Sequence, residues 1–155
     1  MDANLDSPTS FSELATLQTA IATEGWLEVS TGTPGVLEFM AGPALPSRAT
    51  LLESSQALID FYLYDAVWLT GTLREALIEV LLQLNHVGIQ GRRFALGLDS
   101  RDLVLLTGTV QLQADAAHIS EALQYLAGQA GRIQQLIGEI TFQDVQVDVR
   151  LAPAS

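Results

Sequence analysis

The chain has 155 residues, 48% of them hydrophobic and 16% charged, a size and composition that suit one core-forming domain and exclude a disordered polymer. Seven arginines, no lysine and eighteen acidic residues leave a formal net charge of -11, which repels phosphate backbones and anionic bilayers and so argues against nucleic-acid and membrane partners. There is no cysteine, which excludes disulfides, thiolate zinc sites, iron–sulfur clusters and a cysteine nucleophile, and makes cytoplasmic residence the expectation.

Residues 1–10 are polar and acidic, without the basic start and apolar stretch of a secretory signal. The most apolar stretches are interrupted by polar residues such as Glu79 and Gln83, well short of the roughly 18 apolar residues of a membrane span. The expectation is one soluble domain over residues 1–155, with flexible ends at 1–9 and 152–155.

Ser10 followed three residues later by Glu13 reads as a capping box opening a first helix, with Phe11, Leu14, Leu17 and Ile21 on one face and Gly25 as its stop. Trp26 to Ser30 and Val36 to Met40 flank Thr31-Gly32-Thr33-Pro34-Gly35, which predicts a β-hairpin. Ala41 to Ser47, with Gly42, Pro43 and Pro46, reads as a loop. Ala57 to Leu69 reads as a long extended stretch, with Ile59, Phe61 and Leu63 on one side and Asp60, Tyr62 and Tyr64 on the other. The segment from Thr50 to Ser54 carries no decisive pattern.

Thr72 and Glu75 form a second capping box before a helix whose Leu73, Leu77, Val80, Leu81 and Leu84 make a core stripe. Glu75, Glu79, Gln83 and His86 are its polar face, while Ile78 and Leu82 widen the apolar surface beyond what one sheet needs and suggest a second contact. Gly88 and Gly91 end it. Arg93 to Leu98 and Leu103 to Leu112 then predict a second hairpin around the turn Asp99-Ser100-Arg101-Asp102. Ile119, Leu123, Leu126, Ala130, Ile133, Ile137 and Ile140 mark a third helix, with Gly128, Gly131 and Gly138 as places for a kink. Val145, Val147, Val149 and Leu151 alternate with Gln146, Asp148 and Arg150, the period of a last strand.

Groups able to converge for catalysis are few. His86 and His118 stand near helix ends without a companion ligand set, Asp99 and Asp102 are what a tight turn recruits, and Arg92 and Arg93 complement a helix C-terminus. No phosphate-cradling glycine loop and no G-x-S-x-G elbow occurs. Asp60, Tyr62, Tyr64 and Asp65 are the one set that could line a small-molecule or enzymatic pocket between the sheet and the second helix, with an outward-facing strand surface as the leading account of them.

Leu81-Leu82-Gln83-Leu84-Asn85-His86, Phe94-Ala95-Leu96-Gly97-Leu98-Asp99 and Leu103-Val104-Leu105-Leu106 together resemble the type III secretion chaperone-like superfamily. There a leucine-rich helix ending in Asn leads into a leucine-glycine-leucine-aspartate strand, a turn, an apolar strand and a closing helix. The order of elements resembles that superfamily over residues 10–140, the letters over residues 72–112, and the Leu-Asn-His ending is closest to the YbjN-like branch. The resemblance implies an α+β fold with an antiparallel sheet in the order α-βββ-α-ββ-α, to which this chain adds a C-terminal strand. It also implies a small acidic homodimer without cofactor, which in the secretion branch holds an extended client segment against apolar patches. The loop around Pro43 and Pro46 and the segment Val145 to Leu151 depart from that pattern, the second in a way that could cover a client groove.

These readings combine into a non-enzymatic protein-binding domain, a chaperone-like adaptor acting as a homodimer. Leu14, Leu17 and Ile21 are its candidate client contacts, with core packing the competing role, and Ile78 and Leu82 its candidate dimer contacts. The alternative is the pocket of Asp60, Tyr62, Tyr64 and Asp65. No catalytic, cofactor-binding or metal residue is assigned.

Overall fold

The computed structural model describes residues 8–29, 33–91 and 94–151, with the backbone alone for residues 8–11, 87–91 and 142–151. Helix α1 (Pro8–Thr23) leads through a glycine turn into strands β1 (Leu27–Val29), β2 (Val36–Met40), β3 (Pro46–Leu52) and β4 (Gln56–Asp65). Helix α2 (Gly71–Gly91), strands β5 (Ala95–Leu98) and β6 (Leu103–Gln111), and helix α3 (Ala116–Leu151) follow. The strands form one antiparallel sheet in the order β1-β2-β3-β4-β6-β5.

The core face of the sheet is built from cross-strand rows in which large and small side chains alternate. Phe39, Ser47, Phe61 and Leu106 stand opposite one another in turn, as do Leu37, Ala49, Ile59 and Gly108. Phe39 and Phe61 meet across the buried Ser47 at 6.4 Å between ring centroids and 86° between planes, the edge-to-face arrangement that aromatic quadrupoles favour. Ser47 can sit there because its hydroxyl donates to Leu45 O at 3.0 Å, so no polar group is left unpaired. Trp26 stacks on Phe39 from the β1 side at 5.5 Å.

Helix α3 covers this face, its Ile119, Leu123, Leu126, Ala130, Ile133 and Ile137 all buried as their spacing predicts. Gln134 pins it, donating from Nε2 to Ala44 O at 2.6 Å and to Leu63 O at 3.0 Å, where a register shift between Tyr62 and Tyr64 interrupts the β4–β6 ladder. Helix α1 packs on β1 and α3, and α2 on β5 and α3. The other face of the sheet keeps Val36, Glu38, Met40, Arg48, Thr50, Leu58, Asp60, Tyr62, Leu105 and Thr107 half-exposed.

Several boundaries differ from the sequence reading. Four strands rather than three separate α1 from α2, because β3 begins at Pro46 and runs on to Leu52. Its inward residues Ser47 and Ala49 are too small to register as a hydrophobic alternation. The stretch read as extended to Leu69 ends at Asp65, whose carboxylate accepts the Val67 N–H at 3.1 Å and turns the chain into a single 3-10 turn, Ala66–Trp68. Helix α1 starts at Pro8, two residues before the predicted cap, and α2 starts at Gly71 and passes through Gly88 to Gly91.

The largest correction is at the C-terminus. Val145 to Leu151 is not a strand but the end of α3, which has 36 residues and no glycine or proline after Gly138. Once a helix is nucleated, each further residue adds a hydrogen bond at little entropic penalty, so the ladder continues through a segment whose period favours a strand. The Ser10 side chain of the first capping box, Phe11, the Thr31-Gly32 part of the first turn, Arg92, Arg93 and the extreme ends 1–7 and 152–155 lie outside the residues, or the side chains, that are described.

The helix also runs uninterrupted through Gly128, Gly131 and Gly138. All three are exposed, and a Cβ built on any of them meets no other atom within 4 Å, so close packing does not require them. Gly131→Ala is expected to stabilise the chain by about 0.5–1 kcal/mol through the smaller backbone entropy of alanine, read as a higher urea midpoint with an unchanged slope.

Candidate functional site

The two ends of the sheet are not equivalent. At the β5 end, α2 lies alongside, and Asn85 Oδ1 accepts the Leu96 N–H at 2.9 Å. A side chain thus occupies a backbone donor that an edge strand would otherwise present to another chain. The Asn of the Leu-Asn-His signature has a structural role here, taking one backbone donor of the β5 edge. At the β1 end, β2 is the only strand neighbour among the described residues, and Leu27 and Val29 are 69% and 45% exposed on the outer side of the sheet. On its inner side Glu28 is exposed beneath α1, where Gln18 Nε2 donates to it at 3.3 Å.

A second apolar surface lies on α2. Leu77 and Leu81 are buried as predicted, whereas Ile78 is 36% and Leu82 65% exposed, one turn apart on the opposite flank. Trp68 precedes α2 and is 85% exposed, with Val67 beside it also exposed. The sequence reading missed Trp68 by assigning it to an extended strand. The signal that would have found it is Asp65, whose side chain starts a turn and so releases the residues after it from the period-2 pattern.

The helix α1 candidates are corrected by burial. Leu17 and Ile21 are 0% and 2% exposed, and Leu14 is half-buried against the same core, so Leu17 and Ile21 are packing residues of this chain. What α1 does present is a groove of about 310 Å³ against the start of α3, lined by small residues including Thr16, Thr19, Ala116 and Ser120. The Thr16 hydroxyl donates to Ser12 O at 2.8 Å. At the groove's end Glu24 accepts from Ser120 Oγ and, at 3.2 Å, from Gln124 Nε2.

The four residues of the alternative pocket do not converge. Asp60 and Tyr62 lie on the half-exposed face, where Asp60 Oδ1 accepts the Thr107 hydroxyl at 2.7 Å and the Arg48 guanidinium sits 6.0 Å from the Tyr62 ring centre. Arg48 is also within 3.6 Å of Glu38. Beyond the register shift, Tyr64 stands opposite the buried Val104 and packs against the core, while the Asp65 carboxylate caps the following turn. Both carboxylates already have a local hydrogen-bond partner.

The acidic turn residues behave as their types predict. Asp99 Oδ1 accepts the backbone N–H of Arg101 at 2.8 Å and of Leu103 at 3.0 Å, and these bonds, led by that from Leu103, hold its carboxyl below the usual carboxylate range. Asp102 takes the Arg74 guanidinium at 2.8 Å, fastening the start of α2 to the β5–β6 turn. Asp115 caps α3 by accepting the His118 N–H at 2.9 Å, and its carboxylate, 2.7 Å from His118 Nδ1, raises the imidazole pKa above its ordinary value. His86 and His118 are both exposed, and among the described residues no three His, Cys, Asp or Glu side chains cluster to hold a metal. No helix of the described residues is long and apolar enough to cross a membrane.

No protein-family model matches the chain, and no curated protein matches it. Among solved structures, a chain of the ExsC-ExsE complex superposes with a TM-score of 0.64 at 17% identity, over 84% of this chain and 96% of its own length. A chain of the HopA1-SchA chaperone-effector complex superposes with a TM-score of 0.59 at 9% identity, over 83% of this chain and 98% of its own. Identities this low speak for the fold alone. The chain therefore shares with these two chains an α+β fold with an antiparallel sheet and three helices, the fold class that the resemblance implied.

Proposed function

We propose that the chain is a non-enzymatic, chaperone-like adaptor that takes up an extended segment of a client protein along the open edge of β1, and that it works in the cytoplasm as a homodimer joined through Ile78 and Leu82. The observation that carries the client site is the asymmetry of the sheet. At one edge α2 lies against β5 and Asn85 takes a backbone donor, and at the other Leu27 and Val29 are exposed with, among the described residues, no strand beyond them. Adding a strand there gives main-chain hydrogen bonds for affinity and apolar neighbours for specificity. The fold shared with a chain of a chaperone-effector complex supports the same reading. Leu84-Asn85-His86 is what favours the YbjN-like branch within it. No step of this function calls for a cofactor.

In an antiparallel ladder successive residues direct their N–H groups to opposite sides, so of Glu28 and Val29 one faces β2 and the other faces outward. Proline is tolerated where the missing N–H was free and is disruptive where it was paired. Extended peptides selected from a phage-displayed library on the immobilised chain should therefore separate the two variants Glu28→Pro and Val29→Pro. One should lose stability; the other should keep its melting temperature and lose the selected peptides. Binding that survives in both variants would sink the edge reading.

A further inference from the structure

We infer that the segment accepted by the β1 edge is cationic as well as extended, with basic residues alternating with apolar ones; this rests on the edge reading above and adds the chemical class of the client. The acidic balance of the chain is not evenly distributed. From Pro8 to Ser47 there are four carboxylates, Glu13, Glu24, Glu28 and Glu38, and no arginine, lysine or histidine. The first basic residue is Arg48, two strands in from the edge, and it faces Glu38. The corner made by α1, β1 and β2 thus carries carboxylates and no cation of its own.

The placement of the charge along β1 gives the alternation. A strand added to β1 would set its side chains in turn on the two faces of the sheet. Outer-face side chains would fall beside Leu27 and Val29, which are exposed and apolar. Inner-face side chains would fall beside Glu28, whose carboxylate accepts from Gln18 Nε2 and is exposed. Glu24, near the start of the strand, already accepts from Ser120 and Gln124, so Glu28 is the carboxylate placed to meet an incoming cation. An acidic segment would meet the same field with the wrong sign, and like charges opposed across a strand pair are destabilising.

The test uses three synthetic peptides of equal length with valine at alternate positions and lysine, threonine or glutamate between them, plus a lysine peptide with the same composition in two blocks. Binding is followed by fluorescence anisotropy. The alternating lysine peptide should bind about tenfold more tightly than the threonine one at low salt, with the gap closing at high salt, and the glutamate peptide should not bind. Glu28→Lys, an exposed change that leaves the core intact, should reverse the order of the lysine and glutamate peptides. Equal binding of the lysine and threonine peptides, both abolished by the outward-facing proline variant, would overturn the charge inference and leave the edge reading standing. Equal binding of the alternating and block lysine peptides would overturn it too, as non-specific attraction. Binding of no peptide, or of all of them to the proline variant, would remove the edge reading and this inference together.

Discussion

Phe61→Ala is expected to remove about 3–5 kcal/mol of stability, enough to leave a domain of ordinary stability, about 5–15 kcal/mol, marginal or partly unfolded. Phe61 is fully buried at the middle of β4, a central strand hydrogen-bonded to β3 and β6, and its ring meets Phe39 edge to face. Its immediate cross-strand neighbour toward Phe39 is Ser47, too small to move into the vacated space. The loss should therefore include most of the cavity contribution on top of the transfer of the ring to water. Urea unfolding gives the number, and a double-mutant cycle with Phe39→Ala should show a coupling of about 0.5–1.5 kcal/mol for the ring pair. A loss under about 1 kcal/mol would mean that the alternating large and small rows are not the packed centre of this sheet.

The second large effect concerns association. On the proposed dimer, Leu82→Asp should shift the self-association constant by at least about a hundredfold, because a carboxylate buried without a partner in an interface opposes assembly by several kcal/mol. Leu82 is 65% exposed in the single chain, so the same change should leave the melting behaviour of the monomer nearly as it was. Leu77→Asp, five residues earlier on the buried face, is the contrasting variant and should fail to fold. Light scattering across a concentration series decides the matter: a parent that is monomeric throughout, or a Leu82→Asp variant that remains dimeric, removes Ile78 and Leu82 from the interface. Trp68, the most exposed large apolar residue among those described, offers a second signal, since its emission should shift to the blue if the surface around the start of α2 is covered.

Burial separates the two sets of candidates that the sequence left side by side. Leu17 and Ile21 share the helical spacing of a surface stripe and of a core stripe, and only their burial in the packed chain assigns them to the core. Ile78 and Leu82 were conspicuous because α2 carries more apolar residues than one contact uses, and they do emerge on the outside. Asp60, Tyr62, Tyr64 and Asp65 looked like one constellation because they follow one another along a strand. A single register shift at Leu63 and one capping carboxylate are enough to split them.

What the sequence determined by itself is what local physics controls. Helical spacing placed α1, α2 and α3, aspartates placed the Asp99 to Asp102 turn, alternation placed β4 and β6, and composition ruled out cysteine-based chemistry. Its leucine-glycine-leucine-aspartate segment also pointed to the correct fold. Tertiary structure alone decided the rest. It made β3 a strand by giving Ser47 and Ala49 large neighbours to sit between, and it carried α3 through a segment with strand periodicity because a helix already docked on the sheet extends at low cost. It also decided which sheet edge is open. That depends on where α2 comes to rest against β5, a contact between segments that no local pattern encodes.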